Sequence, residues 1–166
     1  VGFDNGFHLA YVCQRKFGAV GLTDSVDSFI AEKQLGPDVL SLDLYGFRQA
    51  LRGKKGTIKS FLMNQKYLAG IGNVYSDEIL FQSQLHPKSL VDNFKAETVT
   101  RLFQAVQAVL HAAIDAQADP DRLPDAFLLP HRRRDGTCPR CRGNLQKISV
   151  SGRSAYYCPV CQTKSA

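Results

Sequence analysis

Long apolar runs are missing from this 166-residue sequence, and so is the beginning typical of a secreted protein. No stretch reaches the roughly 18 apolar residues of a membrane span, and "VGFDNGFHLA" has neither a basic start nor an apolar core. These absences argue against a membrane protein and predict an intracellular one. The first residue is valine and the opening alternates like the middle of a strand, so we expect a part of a longer protein.

Acidic residues are scarce in two parts of the chain, whose formal net charge is +6. Asp135 is the only acid from His131 to Ala166, a segment with eight lysines and arginines. No acid lies between Asp43 and Asp77, where there are six basic residues. Charge clustered in this way favours a polyanionic partner such as nucleic acid. The alternative is a pair of ordinary solvated surfaces.

An odd number of cysteines, five, and no export signal argue against a disulfide framework. Cys13 stands alone in an apolar run and is typical of a small buried hydrophobe. Cys138-x2-Cys141 and Cys158-x2-Cys161, sixteen residues apart, have the spacing of a four-thiolate zinc site. An iron-sulfur cluster or two disulfides are the alternatives. Four protein ligands would close the site, so we expect a structural metal.

Between the two cysteine pairs the sequence predicts a β-hairpin. "LQKISV" and "RSAYYC" read as strands, with Ser151 and Gly152 at the turn. Arg153 follows the turn, where a guanidinium on a metal-braced hairpin could bind a phosphate with two hydrogen bonds. An ordinary solvated arginine is the alternative.

The rest of the chain reads as a short β segment followed by helices. In the first 30 residues, "FHLAYV" and "FGAVGL" alternate like a pair of strands. Helical patterns then follow at Leu44 to Leu51, over 57 to 66, from Asn73, and over 95 to 117. We expect Asn73 to cap its helix, with Asp77 and the next residue near the first turn, where the helix dipole favours acids.

"AGIGN" places Gly70 and Gly72 just before that helix. Glycines there permit positive φ, and the free amides of a first helical turn attract phosphate. A tight turn between helices would explain the same pattern, but Lys59 and Lys66 just upstream favour the phosphate interpretation.

Taken together, these segments resemble one family. "IKSFLMNQKYLAGIGNVYSDEILFQSQLHP", a long helix and the four-cysteine "GRSAYYCPVCQ" ribbon resemble the C-terminal half of bacterial formamidopyrimidine-DNA glycosylase, of the Fpg/Nei family. The resemblance covers nearly the whole chain.

The resemblance implies roles for five residues in DNA binding. Asn73 and Lys59 would contact backbone phosphates around a lesion, and Arg153 would grip the phosphates beside the extruded nucleotide. In "QRKFG", Phe17 would be an intercalating wedge and Arg15 would face the orphaned cytosine. Without the resemblance, Phe17 reads as a core residue.

The resemblance also implies a fold and a function. The fold class is mainly α with small β: a helix-two-turn-helix domain (37–130) and a C-terminal zinc-ribbon hairpin (131–166), preceded by a remnant of a β-sandwich (1–36). The family excises oxidised purines such as formamidopyrimidine and 8-oxoguanine and nicks the strand as an AP lyase. The expected partners are one structural zinc ion and duplex DNA with an oxidised base or abasic site, bound by a monomer in the bacterial cytoplasm, at the nucleoid, without a membrane.

Departures from the family pattern limit what we expect of the chain as given. The Pro-Glu pair with which family enzymes begin, and whose proline forms the Schiff base, is not in this sequence, so no catalytic residue is assigned and Schiff-base chemistry is not expected. Cys13 and Gln14 replace the usual Asp-Pro before the wedge, and the loop at 118–135 is short and rich in proline. The alternative functions are a non-catalytic zinc-ribbon module for structured nucleic acid and a scaffold for protein interactions.

Overall fold

The structure is a computed structural model that describes residues 1–14, 18 and 20–164. It contains two compact units, Val1–Gln34 and a larger one that begins at Leu35. Each unit is described by itself below.

Among its described residues, the first unit contains one helix, α1 (Val26–Lys33). Ser25 caps it, since its hydroxyl accepts a hydrogen bond from the Ser28 amide, and Gln34 ends it in the left-handed conformation. The predicted strand over 7–12 is wrong: the described residues before α1 form only an isolated bridge between Gly2 and His8. The side chains that were expected to share one face of this strand are mostly exposed, at 74% for Phe7, 54% for Leu9 and 57% for Tyr11. A strand without paired neighbours is not stable in water. The second predicted strand lies partly outside the described residues.

The second unit is built around four helices: α2 (Leu44–Leu51), α3 (Ile58–Leu62), α4 (Asn73–Gln82) and α5 (Ala96–Asp115). Asp43 caps α2 and Thr57 caps α3 through their side-chain oxygens. All four lie where the apolar periodicity predicts helices, although α3 is shorter. α5 buries one stripe against the others, because its apolar residues recur at intervals of three and four.

The C-terminal part of this unit is a two-stranded antiparallel sheet, β1 (Gln146–Val150) and β2 (Arg153–Tyr157). The strands pair from Val150 with Arg153 to Gln146 with Tyr157, as the hairpin prediction requires. Helices with one small hairpin confirm the predicted fold class. Among the described residues, no helix is both long and apolar enough to cross a membrane.

Helix α4 contributes to two hydrophobic cores. Ile79 and Leu80 are buried in the helical core with residues of α2, α3 and α5, whereas Phe81 lies in a second core with Leu128 and the ribbon residues Cys138, Leu145 and Cys158. Six consecutive residues of α4, from Ser76 to Phe81, are buried, so this part of the helix is covered on all sides. The ribbon and the helices therefore share α4, and the predicted boundary between residues 130 and 131 stays a prediction.

Candidate metal centre and nucleic-acid interface

The four predicted metal-binding cysteines converge. Their sulfur atoms all lie within 4.8 Å of one another, with Cys138 and Cys161 3.8 Å apart and Cys141 and Cys158 3.4 Å apart. A tetrahedral zinc site with Zn–S bonds of about 2.3 Å has S–S edges of about 3.8 Å, whereas a disulfide requires about 2.05 Å. The geometry fits one zinc ion and does not fit disulfides.

Backbone amides support the sulfur atoms as they do in a zinc knuckle. The Cys141 amide donates to the Cys138 sulfur at 3.5 Å, and the Cys161 amide donates to the Cys158 sulfur at 3.4 Å. The Gly143 amide is the main reason that the pKa of the Cys141 thiol is lowered to about 7, while burial raises the pKa of Cys158. A zinc cation favours the thiolate at all four positions, so metal binding and folding of the ribbon are coupled.

The zinc centre holds the hairpin and, with it, Arg153. Ser151 and Gly152 form the turn with φ of 48° and 74°. A two-residue type I′ hairpin turn requires positive φ at both of its central residues. Arg153 is the first residue of β2 and is exposed. Its predicted place at the tip of the hairpin is therefore observed, although its role in binding DNA stays a prediction.

The hairpin tip contacts helix α3. The Ser151 hydroxyl lies 2.7 Å from the Ser60 hydroxyl, which is itself 2.7 Å from that of Thr57 at the start of the helix. This chain of hydroxyl groups fixes the turn beside α3 and places Arg153, two residues after Ser151, close to the helical part of the unit.

The glycine turn before α4 is organised by Gln65. Its Oε1 accepts from the Gly70 amide at 3.1 Å, and its Nε2 donates to the Ile71 carbonyl at 2.9 Å. Gly70 has a φ of 103°, which a residue with a side chain rarely adopts. Gly72 is the N-cap, so Asn73 is the first helical residue and not the cap that the sequence predicts.

The Asn73 side chain is therefore not used to cap α4. Its Oδ1 is buried and has no hydrogen-bond partner among the described residues. Buried polar groups in proteins are almost always hydrogen-bonded. Oδ1 is an acceptor and would need a donor, so a phosphate oxygen could be bound only by the Asn73 Nδ2 group and by the free backbone amides of the first turn. The predicted contact of Asn73 with a phosphate stays a prediction.

Lys59 differs most from its predicted role. It is fully buried, and its ammonium group donates to Asp77 Oδ1 at 2.6 Å, to Ser76 Oγ at 2.9 Å and to the Asn73 carbonyl at 3.2 Å. Burial lowers the pKa of Lys59, although the Asp77 carboxylate opposes this shift. Lys59 therefore has three acceptors and no exposed surface in this structure, and its predicted contact with a phosphate stays a prediction. Its position indicates that it holds the beginning of α4 in place.

Asp77 and Glu78 are the polar residues that the sequence reasoning misjudged. Both are fully buried in the second turn of α4, and the first turn holds no acid. Glu78 accepts from the Leu128 and Leu129 amides at 3.1 and 2.8 Å, and burial raises the pKa of its carboxyl. The available signal in the sequence was the apolar run from Ile79 to Phe81 directly after them.

The basic residues differ in what surrounds them: some line an open cavity, and one is held in an ion pair. Arg48, Arg52, Lys54 and Lys55 line one cavity of about 620 Å³, together with apolar residues that include Leu51 of α2 and Val99 of α5. Arg132 is paired with Asp77. The predicted wedge residues Arg15 and Phe17 lie outside the described residues.

Two family models match this chain. The first, described as the formamidopyrimidine-DNA glycosylase H2TH domain, matches residues 35–123. The chain belongs to the formamidopyrimidine-DNA glycosylase H2TH family. The second, the zinc finger found in FPG and IleRS, matches residues 136–164 and includes all four cysteines, which identifies the metal as a single structural zinc.

Curated relatives and solved structures of this family extend the match. The chain is 35% identical to a formamidopyrimidine-DNA glycosylase of Thermomicrobium roseum over 94% of its length, and 31% identical to one of Solibacter usitatus over 98%. It spans 58% and 64% of the lengths of these relatives. Lactococcus lactis Fpg in complex with DNA containing an abasic site is 30% identical, with a TM-score of 0.72 over 86% of this chain and 56% of that one. MutM (Fpg) of Thermus thermophilus is 32% identical, with a TM-score of 0.67 over 81% of this chain and 56% of that one.

Proposed function

We propose that this chain is the DNA-gripping part of a base-excision glycosylase and AP lyase that acts on oxidised purines. Two groups would bind the phosphates around the lesion: Asn73 at the N-terminus of α4, and Arg153 on the zinc-braced hairpin. The observation that carries the proposal is the exposed Arg153 at the tip of the zinc-braced hairpin, whose turn contacts α3, in a chain related to a protein solved with DNA containing an abasic site. The activity would take place at the nucleoid, in the bacterial cytoplasm.

The chemistry of the two groups suits a phosphodiester. The Asn73 Nδ2 group and the free backbone amides of the first turn of α4 can donate to phosphate oxygens in the positive field of the helix end. The Arg153 guanidinium adds charge and can donate two parallel hydrogen bonds. Zinc supplies no reactive position, because all four ligands are cysteines, and its contribution is to fold the hairpin.

Equilibrium binding to two duplexes tests the proposal. One duplex carries a central abasic-site analogue and the other is intact, at the same salt concentration. We expect tighter binding to the abasic duplex, because its backbone bends more easily around the two contacts. Asn73→Ala and Arg153→Ala should each lower the affinity for it roughly 10-fold, in line with hydrogen bonds to a charged group.

Lys164→Ala is a control for the loss of one positive charge. Lys164 is exposed and follows Thr163, which forms a bridge with Leu85. Along the sequence, Lys164 lies well after the hairpin turn at Ser151 and Gly152. It should leave the preference for the abasic duplex unchanged. Equal affinities for both duplexes, unaffected by Asn73→Ala and Arg153→Ala, would instead indicate a general nucleic-acid binder.

A further inference from the structure

We propose that Asp77 is a positioning residue that fixes the zinc hairpin relative to helix α4. This inference rests on the proposed function, because the two elements it joins carry the two proposed phosphate contacts, Arg153 and Asn73. The residue itself would not touch DNA, since its side chain is fully buried.

The two oxygens of Asp77 bind different elements. Oδ1 accepts from Lys59 of α3, whose ammonium group also holds the Asn73 carbonyl at the start of α4. Oδ2 accepts from Arg132 Nε at 2.8 Å and from the Tyr156 amide of β2 at 3.1 Å. One carboxylate thus connects the beginning of α4 with the strand that begins at Arg153.

The bond to Tyr156 uses the free edge of the hairpin. In an antiparallel pair with a two-residue turn, the residues that flank the turn exchange hydrogen bonds and every second pair does so after them. Tyr156 pairs with Lys147, three pairs beyond the flanking pair of Val150 and Arg153, so this pair exchanges no hydrogen bonds and the Tyr156 amide points away from β1. The Asp77 carboxylate occupies this outward amide, which otherwise only water or another strand could satisfy.

Charge and ring contacts make this connection specific. A buried carboxylate requires compensation, and Asp77 has two cationic partners, Lys59 and Arg132. The Arg132 guanidinium also lies 4.8 Å from the centre of the Tyr156 ring, so the same arginine contacts both the carboxylate and the strand. Displacing the hairpin would break these contacts together.

The adjacent residue provides a matched comparison. Glu78 is equally buried and accepts from two backbone amides, but these belong to Leu128 and Leu129, ahead of the ribbon. Asp77→Asn and Glu78→Gln both remove one buried negative charge from the same turn of the same helix. Only Asp77→Asn should affect the hairpin. The three donors at this site are Lys59 Nζ, Arg132 Nε and the Tyr156 amide, and Asn has only one acceptor oxygen for them, so its own amino group would lie against at least one donor.

Amide hydrogen exchange without DNA is the first measurement. In the zinc-loaded chain, Asp77→Asn should increase the exchange rate of the Tyr156 amide at least 10-fold, and Glu78→Gln should not. Zinc content should remain one ion per chain in both variants. Should Asp77→Asn fail to fold, Arg132→Met removes only one donor and should raise the same rate by a smaller factor.

Binding to the abasic and intact duplexes is the second measurement. Asp77→Asn should lose most of the preference for the abasic duplex while retaining salt-dependent binding to the intact one, and Glu78→Gln should keep the preference. An unchanged Tyr156 rate, a retained preference in Asp77→Asn or equal effects of both variants would overturn the inference. If the Tyr156 rate rises as expected but the unmodified chain has no preference for abasic DNA, the anchoring by Asp77 stands and the proposed function fails.

Discussion

Replacing Lys59 with methionine tests whether this lysine is a structural cation or a phosphate ligand. Methionine has a similar length and apolar stem but lacks the ammonium group, which has three acceptors within 3.2 Å. Asp77 Oδ1 would lose its donor, while Oδ2 would keep Arg132 and the Tyr156 amide. Removing one partner of a buried ion pair lowers the free energy of unfolding by roughly 3–5 kcal/mol. Because Arg132 and the Tyr156 amide would still compensate the Asp77 carboxylate, we expect a decrease at the lower end of this range, about 3 kcal/mol.

Urea unfolding of the zinc-loaded chain, followed by helical circular dichroism, measures this loss. Lys55→Met is the matched control, because Lys55 is exposed in the same basic segment and its replacement should change the free energy of unfolding by less than about 0.5 kcal/mol. A loss below about 1 kcal/mol for Lys59→Met, combined with weaker DNA binding, would refute the reasoning. The ammonium group would then be free to leave Asp77 and reach a phosphate.

Three further predictions concern the zinc site, His86 and the hairpin turn. Chelation of zinc should abolish the protection of the hairpin amides but leave the helical circular dichroism largely intact, because the helical core contains none of the described ribbon residues, although α4 contributes to both cores. One cooperative loss of both signals would contradict this. Burial lowers the pKa of His86 in the folded chain below its ordinary value of about 6.5. As the pH falls, His86 is therefore protonated more readily in the unfolded chain than in the folded one, and the free energy of unfolding should decrease from pH 7.5 to 6. His86→Asn, which can keep an acceptor for the Lys88 amide, should flatten this dependence in the same titration. Gly152→Ala should lower the free energy of unfolding by about 1 kcal/mol, because it places a side chain at a φ of 74°, and an unchanged urea midpoint would argue against the observed turn.

Local rules explain what the sequence predicted well. The cysteine spacing fixes two knuckles, and the Ser151-Gly152 pair fixes a two-residue turn, so the ribbon follows from short segments. The helices follow from apolar periodicity. Helix α1 was missed although Ser25 is a good cap and Val26, Phe29 and Ile30 share one face, because the alternation before it favoured strands.

Tertiary contacts explain what it did not predict. Lys59 looks like a surface cation in a basic segment, and its burial depends on Asp77, which lies 18 residues away. The pairing of Asp77 with Arg132 spans 55 residues and no local pattern reveals it. Residue type and charge located the two basic zones, but only the packing of α4 shows which cations remain available for a ligand.

Mapping the backbone amides on addition of an abasic duplex tests the central claim most directly. In the zinc-loaded chain, nuclear magnetic resonance shifts should change at two segments, residues 72–75 at the start of α4 and 150–154 at the hairpin tip. Arg153→Ala should remove the changes at the second segment only. Changes confined to the cavity residues 48–55 and 91–99 would contradict the account, because DNA would then bind to the basic cavity and not to Asn73 and Arg153.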